Sequence, residues 1–411
     1  MKILIVGGGS GGHITPAVAV VREILELRPR AKIEFWTDRK YYKNVVKITT
    51  EIGMRWGEQE KGGSRAAPYI RVRRICAGKF RRYAGWKFKD YFTNWQITLS
   101  DLIFKNLVGF LGFLGGILNS FWWLLPKKER PEVIFLKGGF VCLPVGLVAR
   151  WFKIPYIIHE SDAVPGLANR ILMRRAEKVA FGMPIDEEEA KENWEWVGIP
   201  VAAEFKKVSL TRKGVLKKTF GFDSGRPLVV VTGGSQGSQT INEAIRQILP
   251  EMLKFTSVGL VAGRKHYEEM VDLKKYEEWD KAKLKSNFRL WEFNSTMNEL
   301  MGAADVVISR AGATTIAELA ALEKAVILIP FEKLPGGHQV KNAERLAKKD
   351  AAVVLTNDEI EQHPEKLLEA TRKLIRSPKR RKDLAERIYQ ESRGDAAKRL
   401  AEMVLAVGKW S

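Results

Sequence analysis

One pattern occurs twice in the chain and limits what the chain can fold into. A short apolar strand runs into a glycine-rich turn, and a helical stretch follows, first at Ile3–Val6 with Gly7–His13 and again at Leu228–Thr232 with Gly233–Ser238. Glycine permits a sharp turn and lets a ligand approach the open N–H groups of the next helix. The repetition within 411 residues predicts two domains, each built on such a turn.

The remaining apolar runs alternate with helix-period stretches, which is typical of α/β layers around a parallel sheet. The predicted strands of the first half are Ile3–Val6, Lys32–Trp36, Val133–Leu136, Tyr156–His159 and Lys178–Phe181. Those of the second half are Leu228–Thr232, Val258–Ala262, Phe288–Trp291, Val306–Ser309, Ala325–Ile329 and Ala352–Leu355. We therefore predict an α/β fold of two Rossmann-like, doubly wound domains.

The expected domains are residues 1–198 and 199–389, with a hinge at Val197–Pro200. The last stretch, about 390–411, has a helical pattern that is expected to return to the first domain. Ligands of such folds bind at the carboxyl ends of the strands, so we expect them in the cleft between the domains.

Composition excludes several classes of protein. Cys76 and Cys142 are the only two cysteines, which excludes a disulfide framework and a thiolate zinc site. The five histidines show no metal-binding spacing, so no metal is expected. The chain opens as a buried strand rather than a signal peptide, and we expect it in the cytoplasm.

The formal net charge of +21 favours an anionic partner: nucleic acid, an acidic lipid surface or a phosphorylated substrate. Ten Lys or Arg and no acidic residue occur between Lys61 and Lys89, with aromatic residues among and after them. This mixture is typical of a membrane interface, and a solvated basic loop is the alternative. The interfacial residues are predicted to include Arg81, Arg82, Trp86, Phe88, Phe92 and Trp95.

The 19 residues from Leu107 to Leu125 carry no charge. Their length permits a transmembrane helix, but four glycines weaken it and a crossing would place Ile134 onward across the membrane from Met1. We predict a monolayer-inserted or membrane-facing helical hairpin, with a plain core helix as the alternative.

The first turn satisfies GxGxxG at Gly7, Gly9 and Gly12, and Asp38 follows the second strand, which permits a dinucleotide site. His13 lies at the start of the helix, where a neutral imidazole can accept a proton, or where it is simply a structural histidine. The second turn lacks the Lys-Ser/Thr ending of a nucleotide-hydrolysing P-loop but suits a diphosphate.

Two further elements of the second half offer ligand-binding groups. Small residues between Arg310 and Glu318 leave a helix start open to a phosphate or ribose, and Glu318 can accept from both ribose hydroxyls. After the strand Ala325–Ile329, Gln339 and Asn342 offer amides suited to sugar hydroxyls, with helix capping as the alternative.

These motifs together resemble the MurG family over nearly the whole chain. They are Gly8–His13 with Pro16, His159–Asp162 with Pro165–Asn169, Gly233–Ser238 with Asn242, Gly312–Glu318, and His338-Gln339 with Asn342-Ala343. The resemblance implies an inverting GT-B glycosyltransferase that moves N-acetylglucosamine (GlcNAc) from its UDP donor to the 4-hydroxyl of N-acetylmuramic acid in lipid I, giving lipid II of peptidoglycan. It also implies a peripheral protein at the cytoplasmic face of the bacterial membrane, without cofactor, metal or nucleic-acid partner.

By this resemblance His13 is the candidate catalytic base, and Gly12 with His13 faces the polyprenyl-pyrophosphate-linked acceptor. The implied UDP-GlcNAc-binding residues are Ser10, Gly11, Gly12, Asp162, Ser235, Gln236, Gly237, Asn294, Ala313, Thr314, Thr315, Glu318 and Gln339.

The chain departs from the family pattern at three of its positions: Asp162 replaces the usual Asn, Ala202 stands in place of an arginine, and Asn294 stands where an aliphatic residue borders the uracil. Three alternative functions stay open at this point. They are a GT-B transferase acting on another membrane lipid, a nicotinamide-dependent oxidoreductase that uses the first turn, and a non-catalytic scaffold that binds UDP-sugars.

Overall fold

The computed structural model divides into two compact units. Unit 1 comprises Met1–Ala202 and Gly394–Ser411, and unit 2 comprises Ala203–Arg393. The residues that the structure describes are 1–58, 68–79, 95–185, 190–234, 237–271, 286–332 and 337–408.

The described residues of unit 1 form a parallel sheet of seven strands in the order β3-β2-β1-β4-β5-β6-β7. The strands are β1 Lys2–Val6, β2 Lys32–Thr37, β3 Ile70–Arg74, β4 Val133–Leu136, β5 Tyr156–Glu160, β6 Lys178–Phe181 and β7 Trp194–Trp196. The helices are α1 Gly11–Leu27, α2 Tyr42–Glu58, α3 Trp95–Leu124, α4 Cys142–Trp151 and α5 Leu167–Leu172, with 3₁₀ turns at Lys127–Glu129 and Met173–Arg175.

The central strands of unit 1 are buried on both faces. Ile3 and Ile5 of β1 belong to the core under α1, whereas Leu4 and Val6 belong to the core under α3 and α4. Alternate side chains of a strand point to opposite faces, so a continuous apolar run is what a sheet covered on both sides requires.

Unit 2 repeats this plan, with six parallel strands in its described part, in the order β10-β9-β8-β11-β12-β13. Its strands are β8 Leu228–Thr232, β9 Ser257–Val261, β10 Phe288–Trp291, β11 Val306–Ser309, β12 Ala325–Leu328 and β13 Val353–Val354. Its helices are α6 Leu210–Thr219, α7 Gln239–Met252, α8 Tyr267–Val271, α9 Met297–Ala303, α10 Ala313–Ala321, α11 His338–Lys348, α12 Asn357–Gln362, α13 Pro364–Arg376 and α14 Pro378–Gln390. The final helix, α15 Ala396–Val407, belongs to unit 1 and lies against α1.

The fold class predicted from the sequence is confirmed: both units are doubly wound parallel α/β domains. All eleven predicted strands form, each with ends within one residue of the prediction. Two further strands, β3 and β7, lie at the edges of the seven-stranded sheet. β3 falls inside the basic segment that was assigned to the membrane interface.

The predicted helical hairpin at Leu107–Leu125 is wrong, because α3 is one continuous helix of 30 residues. Its glycines lie against the chain that follows β3. A Cβ on Gly116 would lie 2.5 Å from the carbonyl oxygen of Cys76, and one on Gly112 3.2 Å from that of Ala77. The glycines that were expected to weaken the helix thus permit close packing of another segment.

The remaining surface of α3 is exposed and apolar. Among the described side chains of the helix, six exposed apolar ones follow the helical spacing of a single stripe, and we call them the α3 stripe: Phe104, Leu107, Val108, Leu111, Leu118 and Trp122. Phe110 and Leu114 are exposed as well. The stretch Phe104–Leu124 is long and apolar enough to cross a membrane by composition, but its other face packs on unit 1.

Candidate active site

The first glycine turn joins β1 to α1 and is shaped by Asp38 at the end of β2. The Asp38 carboxylate is buried and accepts hydrogen bonds from the backbone N–H groups of Gly9, Lys40 and Tyr41. Gly9 has a φ of 81°, a conformation that favours glycine. Because its carboxylate maintains the turn, Asp38 is poorly placed for the ribose contact that a dinucleotide-binding domain requires.

The start of α1 is open. Ser10 is the N-cap, but its side chain makes no capping hydrogen bond, and Gly11 and Gly12 form the first turn with no acidic residue. All three residues are half-buried. The positive end of the helix is therefore available to an anion.

His13 lies beside the glycine pair that follows β4. A Cβ on Gly139 would lie 3.1 Å from Cδ2 of His13, and one on Gly138 would lie 3.6 Å from Cε1. Nδ1 of His13 is buried and has no hydrogen-bond partner among the described residues. Burial, followed by the charge of Lys137, lowers the pKa of His13 to about 3, so the imidazole is neutral at physiological pH.

Lys137 is a buried cation directly after β4. Its Nζ donates a hydrogen bond of 2.6 Å to Oγ of Ser161. Burial lowers the pKa of Lys137 to about 8, against the opposing effects of Glu160 and Asp162. The ammonium is therefore still charged, in the majority, at neutral pH.

Glu160 connects the end of β5 to α5. Its carboxylate accepts from the backbone N–H groups of Asp162 (3.0 Å) and Gly166 (2.9 Å) and from Nδ2 of Asn169 (2.8 Å). Burial, followed by the charge of Asp162, raises the pKa of Glu160. His159, next to it, is held by a 2.8 Å hydrogen bond between Nε2 and the carbonyl of Gly198.

In unit 2 the second glycine turn leads from β8 into α7. Gly234 and Gly237 have φ values of 76° and 75°. Ser238 is the N-cap of α7, and its Oγ accepts from the N–H of Ile241. Two predicted residues of this turn, Ser235 and Gln236, lie outside the described residues.

Arg310 ties this turn to the neighbouring strand. It follows β11, and its guanidinium donates 2.6 Å hydrogen bonds to Oγ of Ser238 and to Oδ1 of Asn357. A third hydrogen bond, of 3.2 Å, goes to the carbonyl of Ile329 at the end of β12. One buried side chain thus connects the segments that follow β8, β11 and β12.

The open helix start after β11 carries the predicted ribose ligand. Gly312 is the N-cap of α10, Ala313 is buried, and Thr314 and Thr315 are half-buried in the first turn. Glu318 follows one turn later. Burial alone raises the pKa of its carboxyl group to about 8.

Gln339 and Asn294 already use their amide oxygens within the protein. Oε1 of Gln339 accepts from the N–H of Phe331 at 2.9 Å. Oδ1 of Asn294 accepts from the N–H and the hydroxyl of Thr296 at 2.8 and 3.0 Å. In each side chain, the amide N–H groups are therefore the part suited to donate a hydrogen bond to a ligand.

The strand order decides which predicted residues come together. In unit 2, β8, β11 and β12 are neighbours, so Gly237, Thr314, Glu318 and Gln339 follow adjacent parallel strands and lie at one sheet edge. Asn294 follows β10, two strands from β8. In unit 1, His13 and Asp162 follow β1 and β5, on either side of β4.

Several predicted interfacial residues lie outside the described part of the chain: Arg81, Arg82, Trp86, Phe88 and Phe92. Trp95 begins α3, but its side chain is not described. The sequence did not predict two features of the sites: the buried cation of Lys137, and the cross-link that Arg310 makes between neighbouring segments. Both come directly after apolar strands, and that position was the available signal.

Comparison with known proteins identifies the family and the fold. Residues 60–181 match the glycosyltransferase family 28 N-terminal domain, and residues 228–400 match the C-terminal domain of the same family. The MurG of Acinetobacter baumannii has a TM-score of 0.66 at 19% identity, covering 98% of this chain and 99% of that one. This likeness shows a common GT-B fold.

Curated relatives extend over the full chain. One from Listeria monocytogenes serotype 4b (strain CLIP80459) is 32% identical over 411 residues, covering 100% of both chains. Another, from Bacillus pumilus (strain SAFR-032), is 35% identical over 365 residues, covering 88% of this chain and 87% of that one. Both are named UDP-N-acetylglucosamine–N-acetylmuramyl-(pentapeptide) pyrophosphoryl-undecaprenol N-acetylglucosamine transferase. The chain therefore belongs to this family of N-acetylglucosamine transferases, the MurG family of GT-B glycosyltransferases.

Proposed function

We propose that the protein transfers GlcNAc from UDP-GlcNAc to the 4-hydroxyl of N-acetylmuramic acid in undecaprenyl-pyrophosphoryl-MurNAc-pentapeptide, with inversion at the anomeric carbon. The observation that carries the proposal is the full-length similarity to relatives named for this reaction. In addition, each unit places a glycine-rich turn and an open helix start at the carboxyl edge of its sheet.

Unit 2 is the proposed donor site. The N–H groups at the start of α7 and the turn at Gly237 suit the UDP diphosphate, and Glu318 suits the ribose hydroxyls. The side-chain amide N–H of Gln339 would donate a hydrogen bond to a sugar hydroxyl. The same helix end would stabilise the departing diphosphate, so the proposal assigns no metal ion and no cofactor to the reaction.

Unit 1 is the proposed acceptor site, with His13 as the catalytic base. The acceptor 4-hydroxyl oxygen attacks the anomeric carbon, the bond to UDP breaks with its electrons leaving on UDP, and the hydroxyl proton passes to the imidazole. A pKa of about 3 makes His13 a weak base in the empty site. Negative charge on an acceptor diphosphate bound at Gly11 and Gly12 would raise that pKa toward neutrality.

We further propose that the protein binds peripherally to the cytoplasmic face of the membrane through the α3 stripe. The stripe ends near Trp151, which is 74% exposed and whose ring lies 6.0 Å from that of Phe121. At the end of α4, a cavity of about 580 Å³ is lined by arginines and two apolar residues: Arg150, Arg170, Arg174, Arg175, Leu167 and Ile171. Cationic groups beside exposed apolar side chains suit anionic headgroups at an interface.

The test is incubation with UDP-GlcNAc and a lipid I analogue, followed by mass analysis of the products. We expect the analogue to gain one GlcNAc and UDP to be released. Product formed only with a different lipid-linked sugar would show that the protein uses another acceptor. UDP binding without any product would identify a non-catalytic scaffold.

A further inference from the structure

Lys137 is a buried cation that lacks a full set of partners. Its residue is 1% exposed, and its backbone N–H donates to the carbonyl of Val6, so its position between β1 and β4 is fixed. An ammonium has three donors, and the structure places a single acceptor, Oγ of Ser161, against this one within the described chain. Burying a charge is costly unless it is paired.

The carboxylate that acts most strongly on Lys137, that of Glu160, already has hydrogen-bond donors. Glu160 accepts three hydrogen bonds, from the N–H groups of Asp162 and Gly166 and from the amide of Asn169. Among the described residues, Lys137 forms no ion pair with it or with any other acid. Glu160 and Asp162 therefore act on the Lys137 ammonium through space, without a direct ion pair among the described residues.

The backbone around this charge is arranged for an anion. Lys137 lies between two glycine turns, Gly7–Gly12 after β1 and Gly138–Gly139 after β4. The glycines of the second turn have φ values of 109° and 86°, and a Cβ on Gly139 would lie 2.9 Å from the carbonyl of Gly8. A Cβ on Gly7 would lie 3.7 Å from Cβ of Lys137, and the ring of His13 lies against Gly139. An anionic ligand at the start of α1 would therefore bind in the positive field of the buried ammonium.

We infer that Lys137 is the counter-charge of the acceptor site, a specificity-determining residue that selects an acceptor carrying a diphosphate over a neutral one. This inference rests on the proposed function and names the part of the acceptor that Lys137 recognises. Lys137 acts through its field across the glycine turns, as a positioning residue.

The experiment compares two acceptors that differ in charge alone: a lipid I analogue with its diphosphate, and the same sugar-peptide with a neutral linker of equal length. We measure kcat/KM for both in the wild type, Lys137→Met and Lys137→Gln, with the KM for UDP-GlcNAc and a melting curve for each protein. The matched control is Lys217→Met, which removes another buried lysine, in unit 2.

We expect either Lys137 variant to lower kcat/KM for the diphosphate acceptor about 10-fold or more, with a smaller change for the neutral acceptor and an unchanged KM for UDP-GlcNAc. Lys217→Met leaves the ratio between the acceptors at the wild-type value. An equal loss for both acceptors in folded Lys137 variants would assign Lys137 a structural role and overturn the inference.

A binding measurement separates this inference from the proposed function. Inorganic diphosphate is titrated into wild type and Lys137→Met in the presence of saturating UDP, which fills the donor site. We expect a binding event that Lys137→Met weakens, whether or not the wild type transfers sugar. A wild type that binds diphosphate through Lys137 but transfers to neither acceptor would contradict the proposed function alone, and identical binding by both proteins would contradict the inference.

Discussion

At the scale of single residues, Glu318 is the proposed ribose ligand, and we expect it to make donor binding dependent on pH. Burial raises its pKa from 4.5 to about 8, so the carboxyl group is largely protonated in the empty enzyme at pH 7. Ribose hydroxyls donate to the ionised form, so UDP binding is expected to release a proton and to strengthen as pH rises from 7 to 9. Calorimetry in buffers of different ionisation enthalpy measures this release.

Glu318→Gln is the matched variant for this prediction. It abolishes the proton release and weakens UDP binding about 10-fold or more, because a charged acceptor is lost. The folded-state pKa lies above the unfolded value, so ionisation between pH 4.5 and about 8 lowers stability as pH rises. Glu318→Gln without UDP should therefore melt at a higher temperature than the wild type at pH 8. Proton release that persists in the variant would exclude Glu318 as the ribose ligand.

His13 is expected to affect turnover rather than donor affinity. His13→Ala removes the proposed proton acceptor and should lower kcat by a factor of about 10²–10⁴ while the affinity for UDP stays the same. His363→Ala is the control, because His363 is an exposed histidine of unit 2 paired with Glu365. Steady-state kinetics with both substrates checks the prediction, and near-normal turnover of His13→Ala would remove this histidine from catalysis.

The candidate site residues that could be predicted are those whose position relative to a strand is visible in the sequence. His13 and Glu318 each lie just past a strand, in a pattern of strand, small residues and helix that is visible in the sequence. The burial of Lys137 could not be read in this way, because it depends on packing against β1 and Ser161. The hydrogen bond between Arg310 and Ser238 likewise joins residues 72 positions apart.

At the scale of elements, two helical glycines are expected to respond to the same substitution with opposite signs. Gly116 of α3 faces the chain after β3, and a Cβ there would lie 2.5 Å from the carbonyl of Cys76 and 2.9 Å from Pro144. Gly116→Ala should therefore destabilise unit 1 by about 1–3 kcal/mol through overpacking. Gly53 of α2 has nothing within 4 Å of its Cβ position, so Gly53→Ala should stabilise by about 0.5–1 kcal/mol.

Denaturant unfolding of both variants against the wild type measures the two free energies of unfolding. The prediction concerns packing, since both glycines occupy helix interiors and share the same propensity gain on substitution. Stabilisation by Gly116→Ala would show that the chain after β3 does not lie against α3.

The elements that the sequence failed to predict lack a clear periodic signal. β3 has the sequence Ile-Arg-Val-Arg-Arg within a basic segment. The guanidinium of Arg73 lies 3.4 Å from the carboxylate of Glu34 and packs over the ring of Trp123. β7 has three residues and half-buried side chains. Central strands were predictable because burial on both faces demands continuous apolar runs, whereas edge strands are under no such demand.

At the scale of the whole molecule, the proposed membrane surface lies on unit 1. The α3 stripe leaves large apolar side chains in water, with Trp122 at 64% exposure. A test of membrane binding should leave the residues of β3 unchanged, because Arg73 forms an ion pair with Glu34 inside unit 1. The stripe itself offers a cleaner test than the basic segment.

Leu111→Asn combined with Leu118→Asn is expected to reduce partition onto vesicles containing anionic phospholipid about 10-fold or more, because two apolar side chains lose their transfer free energy. Leu210→Asn with Val215→Asn is the matched control, since it removes two exposed apolar side chains from unit 2. Both variants should transfer GlcNAc to a water-soluble acceptor at the wild-type rate, because neither changes a residue of the proposed donor or acceptor site. Vesicle co-sedimentation gives the partition, and equal binding by the two double variants would remove the α3 stripe as the membrane contact while leaving the assignment of the donor and acceptor sites intact.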